Sequence, residues 1–281
     1  VGSEEEVQVS DAEGLNAQGE PVILIERRGR VMVATLNRPE VRNAVNRAMW
    51  IGLGRALEEC ERDSDVWAFV LTGSGDASFC AGADLKALSR GEPILPDDPA
   101  EVAWGFAGYV RHVISKPTIA AVNGTALGGG TELCLASDLA IAADSAVFGL
   151  PEVKRGIFAG AGGVFRLPRQ LPQKVAMEMI MTGEPISATR AQEVGLINAV
   201  VAQSDVLNAA VALAEQICAN APLAVQASKR IALGIVDGHV PHEDVLWELS
   251  SAEGEVLMKS EDAKEGPRAF AEKRAPQWRA R

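Results

Sequence analysis

Apolar positions in this chain fall into short blocks whose spacing changes from element to element. Val22–Glu26 and Val31–Asn37 are rich in β-branched and aliphatic residues and flank Arg27-Arg28-Gly29-Arg30, which predicts a hairpin. Arg38-Pro39-Glu40 breaks the second strand. Asn46 then stands as the cap of a helix to about Arg62, with Met49, Leu53, Ala56, Leu57 and Cys60 on one face. Val66–Thr72 and Pro117–Val122 are continuous apolar runs of the kind buried on both faces of a sheet. Leu139–Ala143, Val147–Gly149 and Leu196–Val201 read as further short strands. Between them the pattern predicts helices from about Asp84, over 100–115, 163–171 and 173–181, and over 189–194. Gly91–Pro99 carries three prolines and two aspartates and predicts a mobile surface loop.

Beyond Asp205 the pattern is wholly helical, over about 205–219, 222–236, 242–259 and 261–273, with Asn220-Ala221-Pro222 as a natural break. The expected organisation is a disordered acidic tail over 1–20, an α/β core over 21–220 and a helical region over 221–281.

Composition narrows the function. With 47% hydrophobic and 23% charged residues the chain is ordinary for a globular protein. A formal charge of −11 argues against nucleic acid or an anionic membrane as partner. Glu4-Glu5-Glu6 has the wrong sign for a secretion or import leader, and the longest uncharged stretch, Pro117–Thr131, is too short and too glycine-rich to span a bilayer. The expected location is the cytoplasm. Cys60, Cys80, Cys134 and Cys218 form no C-x-x-C pair and are expected as reduced, buried thiols. His112, His239 and His242 make no metal-ligand set, so no metal is expected. Phosphate-loop, nucleophile-elbow and dinucleotide-binding signatures are absent.

Two stretches remain: Phe79-Cys80-Ala81-Gly82-Ala83-Asp84 and Asn123-Gly124-Thr125-Ala126-Leu127-Gly128-Gly129-Gly130-Thr131-Glu132. Each reads as strand, small-residue turn and helix start, a backbone that offers its own N–H groups to a ligand. A carbonyl placed between the N–H groups of Ala81 and Gly129 would have its developing oxyanion stabilised. Glu132 sits in apolar surroundings and is expected to have a perturbed pKa. Glu152 follows twenty positions later in Phe148-Gly149-Leu150-Pro151-Glu152. On sequence alone Glu152 also fits a surface partner for Lys154 or Arg155, and Asp84 fits a helix cap.

In order along the chain, Asn37-Arg38-Pro39 with Asn43-Ala44, A-G-A-D-L at 81–85, K-P-T-I-A-A-V-N-G-T-A-L-G-G-G-T-E-L at 116–133, F-G-L-P-E at 148–152, G-A-G-G at 160–163 and M-T-G-E-P-I-S-A at 181–188 resemble the crotonase, or enoyl-CoA hydratase, superfamily. The resemblance implies a spiral of ββα units with a C-terminal helical region that builds trimers or dimers of trimers. It implies an acyl-CoA thioester as substrate, with CoA part of that substrate and no separate cofactor. It places the oxyanion hole at Ala81 and Gly129, the CoA path along Ala81, Gly82, Ala83 and Asp84, and the catalytic pair at Glu132 and Glu152. Lys273 matches a lysine that in some relatives reaches the CoA phosphate, often from a neighbouring subunit.

The implied reaction is reversible hydration of a trans-2-enoyl-CoA, with Glu132 as base on the water and Glu152 as acid at the α-carbon. Phe158, Val164-Phe165 and Thr131 depart from the common hydratase residues and are expected near the acyl pocket. The segments 163–169 and 260–278 are similar to the carnitinyl-CoA dehydratase branch, whose trimethylammonium acyl group calls for an aromatic or acidic pocket; Trp50, Trp67, Trp104, Phe106 and Tyr109 are the candidates. A double-bond isomerase and an RNA-binding relative are the other readings. The acidic helix carrying Glu58, Glu59, Glu61 and Asp63 disfavours the second.

Overall fold

The computed structural model describes residues 14–281, so 1–13 of the expected tail lie outside the described residues. Residues 14–20 form a tight turn rather than a tail: the Asn16 side chain accepts from the Gln18 and Glu20 N–H groups, and Val22 N–H donates to the Gly14 carbonyl at 3.1 Å.

The hairpin forms as β1 (Ile23–Arg28) and β2 (Val31–Leu36), paired antiparallel. Helix α1 (Arg47–Arg62) follows, its first turn capped by the Asn46 side chain accepting from Met49 N–H. From here the chain repeats one move. A largely buried strand enters a first sheet, a short strand enters a second sheet, and a helix returns the chain. The pairs are β3 (Ala68–Gly73) with β4 (Ser78–Cys80), β5 (Thr118–Val122) with β6 (Thr125–Leu127), and β7 (Leu139–Ala143) with β8 (Val147–Gly149). Short helices α2 (Leu85–Ser89) and α3 (Pro99–Ala103) follow the first pair, and α4 (Gly129–Ala136) follows the second.

After the third pair come α5 (Gly163–Gln170), α6 (Gln173–Thr182), β9 (Ile186–Ser187), α7 (Ala188–Glu193) and β10 (Ala199–Val201). The large sheet has the order β1-β2-β3-β5-β7-β10 and the small one β4-β6-β8-β9. Within both, β3, β5, β7 and β4, β6, β8 run parallel in chain order, the signature of a coil that advances one strand per turn. Every residue of β3 and β5 is buried, as their apolar runs required.

Four helices close the chain: α8 (Val206–Cys218), α9 (Pro222–Leu233), α10 (Pro241–Leu257) and α11 (Glu261–Ala271). Among the described residues no single helix is long and apolar enough to cross a membrane.

One expected helix does not form. In place of 100–115, α3 stops at Ala103, and Gly105 (φ 72°), Ala107 (φ 60°) and Gly108 (φ 67°) take left-handed backbone. Two glycines three apart let the chain leave the helix, and the apolar spacing concealed the break.

Candidate active site

The first turn is fixed from below. Asn43 donates to the Ser74 and Ser78 carbonyls at 3.0 and 2.9 Å, tying the ends of β3 and β4 together. Asp84 caps α2 through Ala87 N–H and takes a buried ion pair from Arg38 at 3.0 Å. Asp84 is therefore a structural anchor of the turn. Between these anchors Gly82 takes φ +87°, so successive N–H groups do not point alike.

This geometry corrects the donor expected at Ala81. Its N–H donates to the Arg42 carbonyl at 3.1 Å and is not free for a ligand. Ala83 is a residue of this turn whose N–H takes no backbone acceptor among the described residues. It lies in a parallel bridge with Val45, whose bonds run from Val45 N–H to Gly82 and from Asp84 N–H to Val45, and that pattern does not use the N–H of Ala83 itself.

The second turn supplies the other donor. Gly128, at φ 57°, reverses the chain out of β6, and Gly129 opens α4, where a backbone N–H has no intrahelical acceptor. The two turns touch: a Cβ on Gly82 would lie 3.2 Å from the Gly129 nitrogen. Gly130 has no room for one at all, because it would run into the Cys80 carbonyl.

The two carboxylates lie near enough for the charge of Glu152 to act on Glu132. Glu132 is 3% exposed, and its Oε1 accepts from Gly163 N–H at 2.9 Å. Burial pushes its pKa up to about 8; the Glu152 charge adds to the rise, while the Gly163 and Ala161 N–H groups and Arg166 oppose it. Glu152 rides on the 3₁₀ turn Pro151–Arg155 and is not a surface partner for its neighbours. Its Oε1 lies 2.8 Å from where a Gly128 Cβ would be, and its Oε2 is buried without a hydrogen-bond partner. Burial raises it to about 7. Two neighbouring carboxyls titrating near neutrality can hold one proton between them, the state in which one acts as base and the other as acid.

Other expectations fare differently. Thr131 does not line a pocket. It is fully buried, and its hydroxyl lies within hydrogen-bond distance of the Ala126 carbonyl and of the Gly149 carbonyl and N–H, stitching α4 to β8 and so to the turn bearing Glu152. Lys273 stands exposed just past α11 in left-handed backbone. Cys80 is fully buried, and burial pushes its thiol up to about 12.

Of the aromatic candidates only Phe106, with Trp50 on its edge, reaches the donor turns. Arg30 covers Trp67, Trp104 stacks on His112, Tyr109 hydrogen-bonds Ser137, and Trp50 meets Phe106 edge-on. Sequence reasoning missed Trp247, which packs on Phe165 and takes the guanidinium groups of Arg111 at 4.8 Å and Arg166 at 5.5 Å. It also missed that helices beyond residue 220 support the site. Glu243 of α10 makes a bidentate pair with Arg166, and α11 meets the Glu152 turn so closely that Gly156 and Gly266 leave no room for a side chain against Asp262 and Arg155. An amphipathic helix spacing says that a face is buried, not against what.

Two N–H groups open at helix-starting turns, with a buried carboxyl pair nearby, can polarise a carbonyl and move a proton beside it. The family model described as enoyl-CoA hydratase/isomerase matches residues 26–281, and the chain belongs to that family. Among curated relatives it is 40% identical to enoyl-CoA hydratase EchA19 of Mycobacterium tuberculosis, over 93% of this chain and 97% of that one. It is 41% identical to a carnitinyl-CoA dehydratase of Salmonella typhi, over 92% and 98%. A solved structure described as carnitinyl-CoA hydratase from Mycobacterium avium superposes with a TM-score of 0.91 at 61% identity, covering 93% of this chain and all of that one. The fold is the crotonase fold.

Proposed function

We propose that the protein is a hydro-lyase that adds water reversibly across the double bond of a trans-2-enoyl-CoA. The observation that carries this reading is the pair Glu132 and Glu152, both raised toward neutrality, beside the unspent N–H groups of Ala83 and Gly129. The thioester oxygen accepts from these two donors, and each donor in such a hole is typically worth about 2.7–4 kcal/mol as charge develops. Glu132 takes the proton of the attacking water and Glu152 delivers one to the α-carbon, so the reactive form is the minor one-proton state in which Glu152 holds the proton and Glu132 is ionised; dehydration reverses both transfers. CoA enters with the substrate, along Gly82, Ala83 and Asp84. Copies of the chain assemble as trimers or pairs of trimers, a reading supported by the exposed apolar residues Leu223, Ile231, Val245 and Leu249 on α9 and α10. In that assembly Lys273 reaches the CoA phosphate of a neighbour.

The leading substrate is a simple, uncharged enoyl group. Of the candidate rings for a cationic acyl group, Trp67, Trp104 and Tyr109 are spent on Arg30, His112 and Ser137, and Trp247 already carries two guanidinium groups. The second reading, a trimethylammonium acyl-CoA, is supported by the relatives named for carnitinyl-CoA.

Loss of the conjugated thioester absorbance, measured with crotonyl-CoA and crotonobetainyl-CoA side by side, separates them. Rapid loss with crotonyl-CoA is expected. Loss with crotonobetainyl-CoA alone selects the second reading, and silence with both overturns hydration of short enoyl groups. The same assay run against pH is expected to give a bell in kcat/KM with limbs near about 7 and 8, because the pair must keep one proton. A flat profile from pH 5 to 10 would count against the pair.

A further inference from the structure

A turn of positive-φ backbone lies beside the second donor turn. Gly105, Ala107 and Gly108 all take positive φ within four residues, and Ala107 is not a glycine. Such strain persists only where the surroundings over-determine it. Here they do. Gly108 N–H donates to Gly105, Tyr109 N–H to Phe106 and Arg111 N–H to Trp104, which closes the turn on itself. Trp104 fills the space left by Gly54, and Gly108 lies so close to the Trp50 carbonyl that no Cβ would fit. The turn is thus wedged against α1.

What it presents is Phe106. The ring meets Trp50 edge-on at 5.9 Å and covers Gly129. A Cβ on Gly129 would stand 2.6 Å from Phe106 Cζ and 3.2 Å from Gly82 Cα. The ring therefore rests on the seam where the two donor turns meet.

We propose that Phe106 is a positioning residue of the anion hole, whose ring, held by the strained turn, sets the spacing of the Ala83 and Gly129 N–H groups. It touches the residue that donates and does not itself take part in proton transfer. This inference rests on the reading of these donors as a thioester anion hole. Trimming the ring leaves a gap beside Gly129, and the first turn of α4 relaxes into it.

The test is a side-chain series at Phe106, to Leu, Val and Ala, with two readouts. The first is kcat and KM for crotonyl-CoA. The second is the absorbance of bound 4-dimethylaminocinnamoyl-CoA, a push–pull thioester whose band moves to the red when its carbonyl is polarised. Phe106→Ala is expected to lower kcat about ten- to a hundredfold with little change in KM, because donors misplaced by a fraction of an ångström lose transition-state stabilisation first. The red shift is expected to shrink in the order Phe, Leu, Val, Ala. Whichever variants fold, a shift that stays at the wild-type value overturns the proposal, as does a fall in kcat without a change in shift. A wild-type protein that binds the probe with no red shift at all overturns the anion-hole reading itself, and the role of Phe106 with it.

Discussion

Replacing Glu132 or Glu152 with glutamine is expected to reduce kcat by about a hundred- to ten-thousand-fold, the range over which a single positioned acid or base contributes. Glutamine keeps the shape and one acceptor oxygen, so Gly163 N–H still finds its partner at residue 132. The same variants should be more stable than the parent. Both carboxyls have folded-state pKa values above the ordinary 4.5, at about 8 and about 7. The folded protein therefore holds protons that the unfolded chain releases, and this contribution to stability is full below pH 4.5 and lost as pH rises through 7 and 8. A glutamine does not titrate, so the gap in Tm between variant and parent should widen from pH 5 to pH 8, by about 2–4 °C for each kcal/mol relieved. Thermal melts across that range check the sign. Equal Tm values at every pH, or a variant with near-parental kcat, would remove that residue from the pair.

Gly130→Ala is the other change with a large expected effect, although no reacting group is touched. The new methyl would run into the Cys80 carbonyl at the end of β4, where the first turn of α4 lies against the first donor turn. Neither side yields easily, since Asn43 pins Ser78 and Thr131 pins α4 to Gly149. Overpacking of this kind typically costs about 1–3 kcal/mol. The relief open to the chain is to push α4 away from Ala83, which moves the Gly129 N–H with it. A fall in kcat of about a hundredfold is expected alongside the loss of stability. Urea denaturation and turnover measured together test it, and parental values of both would show that the seam is looser than its contacts imply.

Much of the frame was legible in the chain because local rules and burial agreed there. Asn46 capped α1 as its side chain allows, and the apolar runs of β3 and β5 became the buried centre of the large sheet. Glu132 was legible because an acidic residue in apolar surroundings is rare, whereas Glu152 fits a surface ion pair on local pattern alone and stands out only through the resemblance of F-G-L-P-E to the family. The failures share a cause. Ala81 and Ala83 look alike in sequence, and only the left-handed turn at Gly82 and the bond from Ala81 to Arg42 decide which donor is free. Gly105 and Gly108 sit inside apolar spacing that favours a helix, and their positive φ is a tertiary outcome. Thr131 reads as a substitution in a pocket until its hydroxyl is seen between Ala126 and Gly149. Trp247 and Glu243 act from a helix more than 70 residues beyond Phe165 and Arg166, which they contact, and no local pattern records the contact.

The clasp between α11 and the turn bearing Glu152 has a bearing on order of assembly during synthesis. Domains form as their segments emerge, amino end first. The coil of strands from β2 to β8 and the residues that place the two donors leave the ribosome early. Residues 261–271, which brace the turn of Glu152, follow more than 100 positions later. A nascent chain can therefore hold a folded sheet and a formed pair of donors while one carboxylate still rides on an unsupported turn. Ability to bind a thioester would precede ability to transform it, and competence would arrive as a late event in the birth of each molecule.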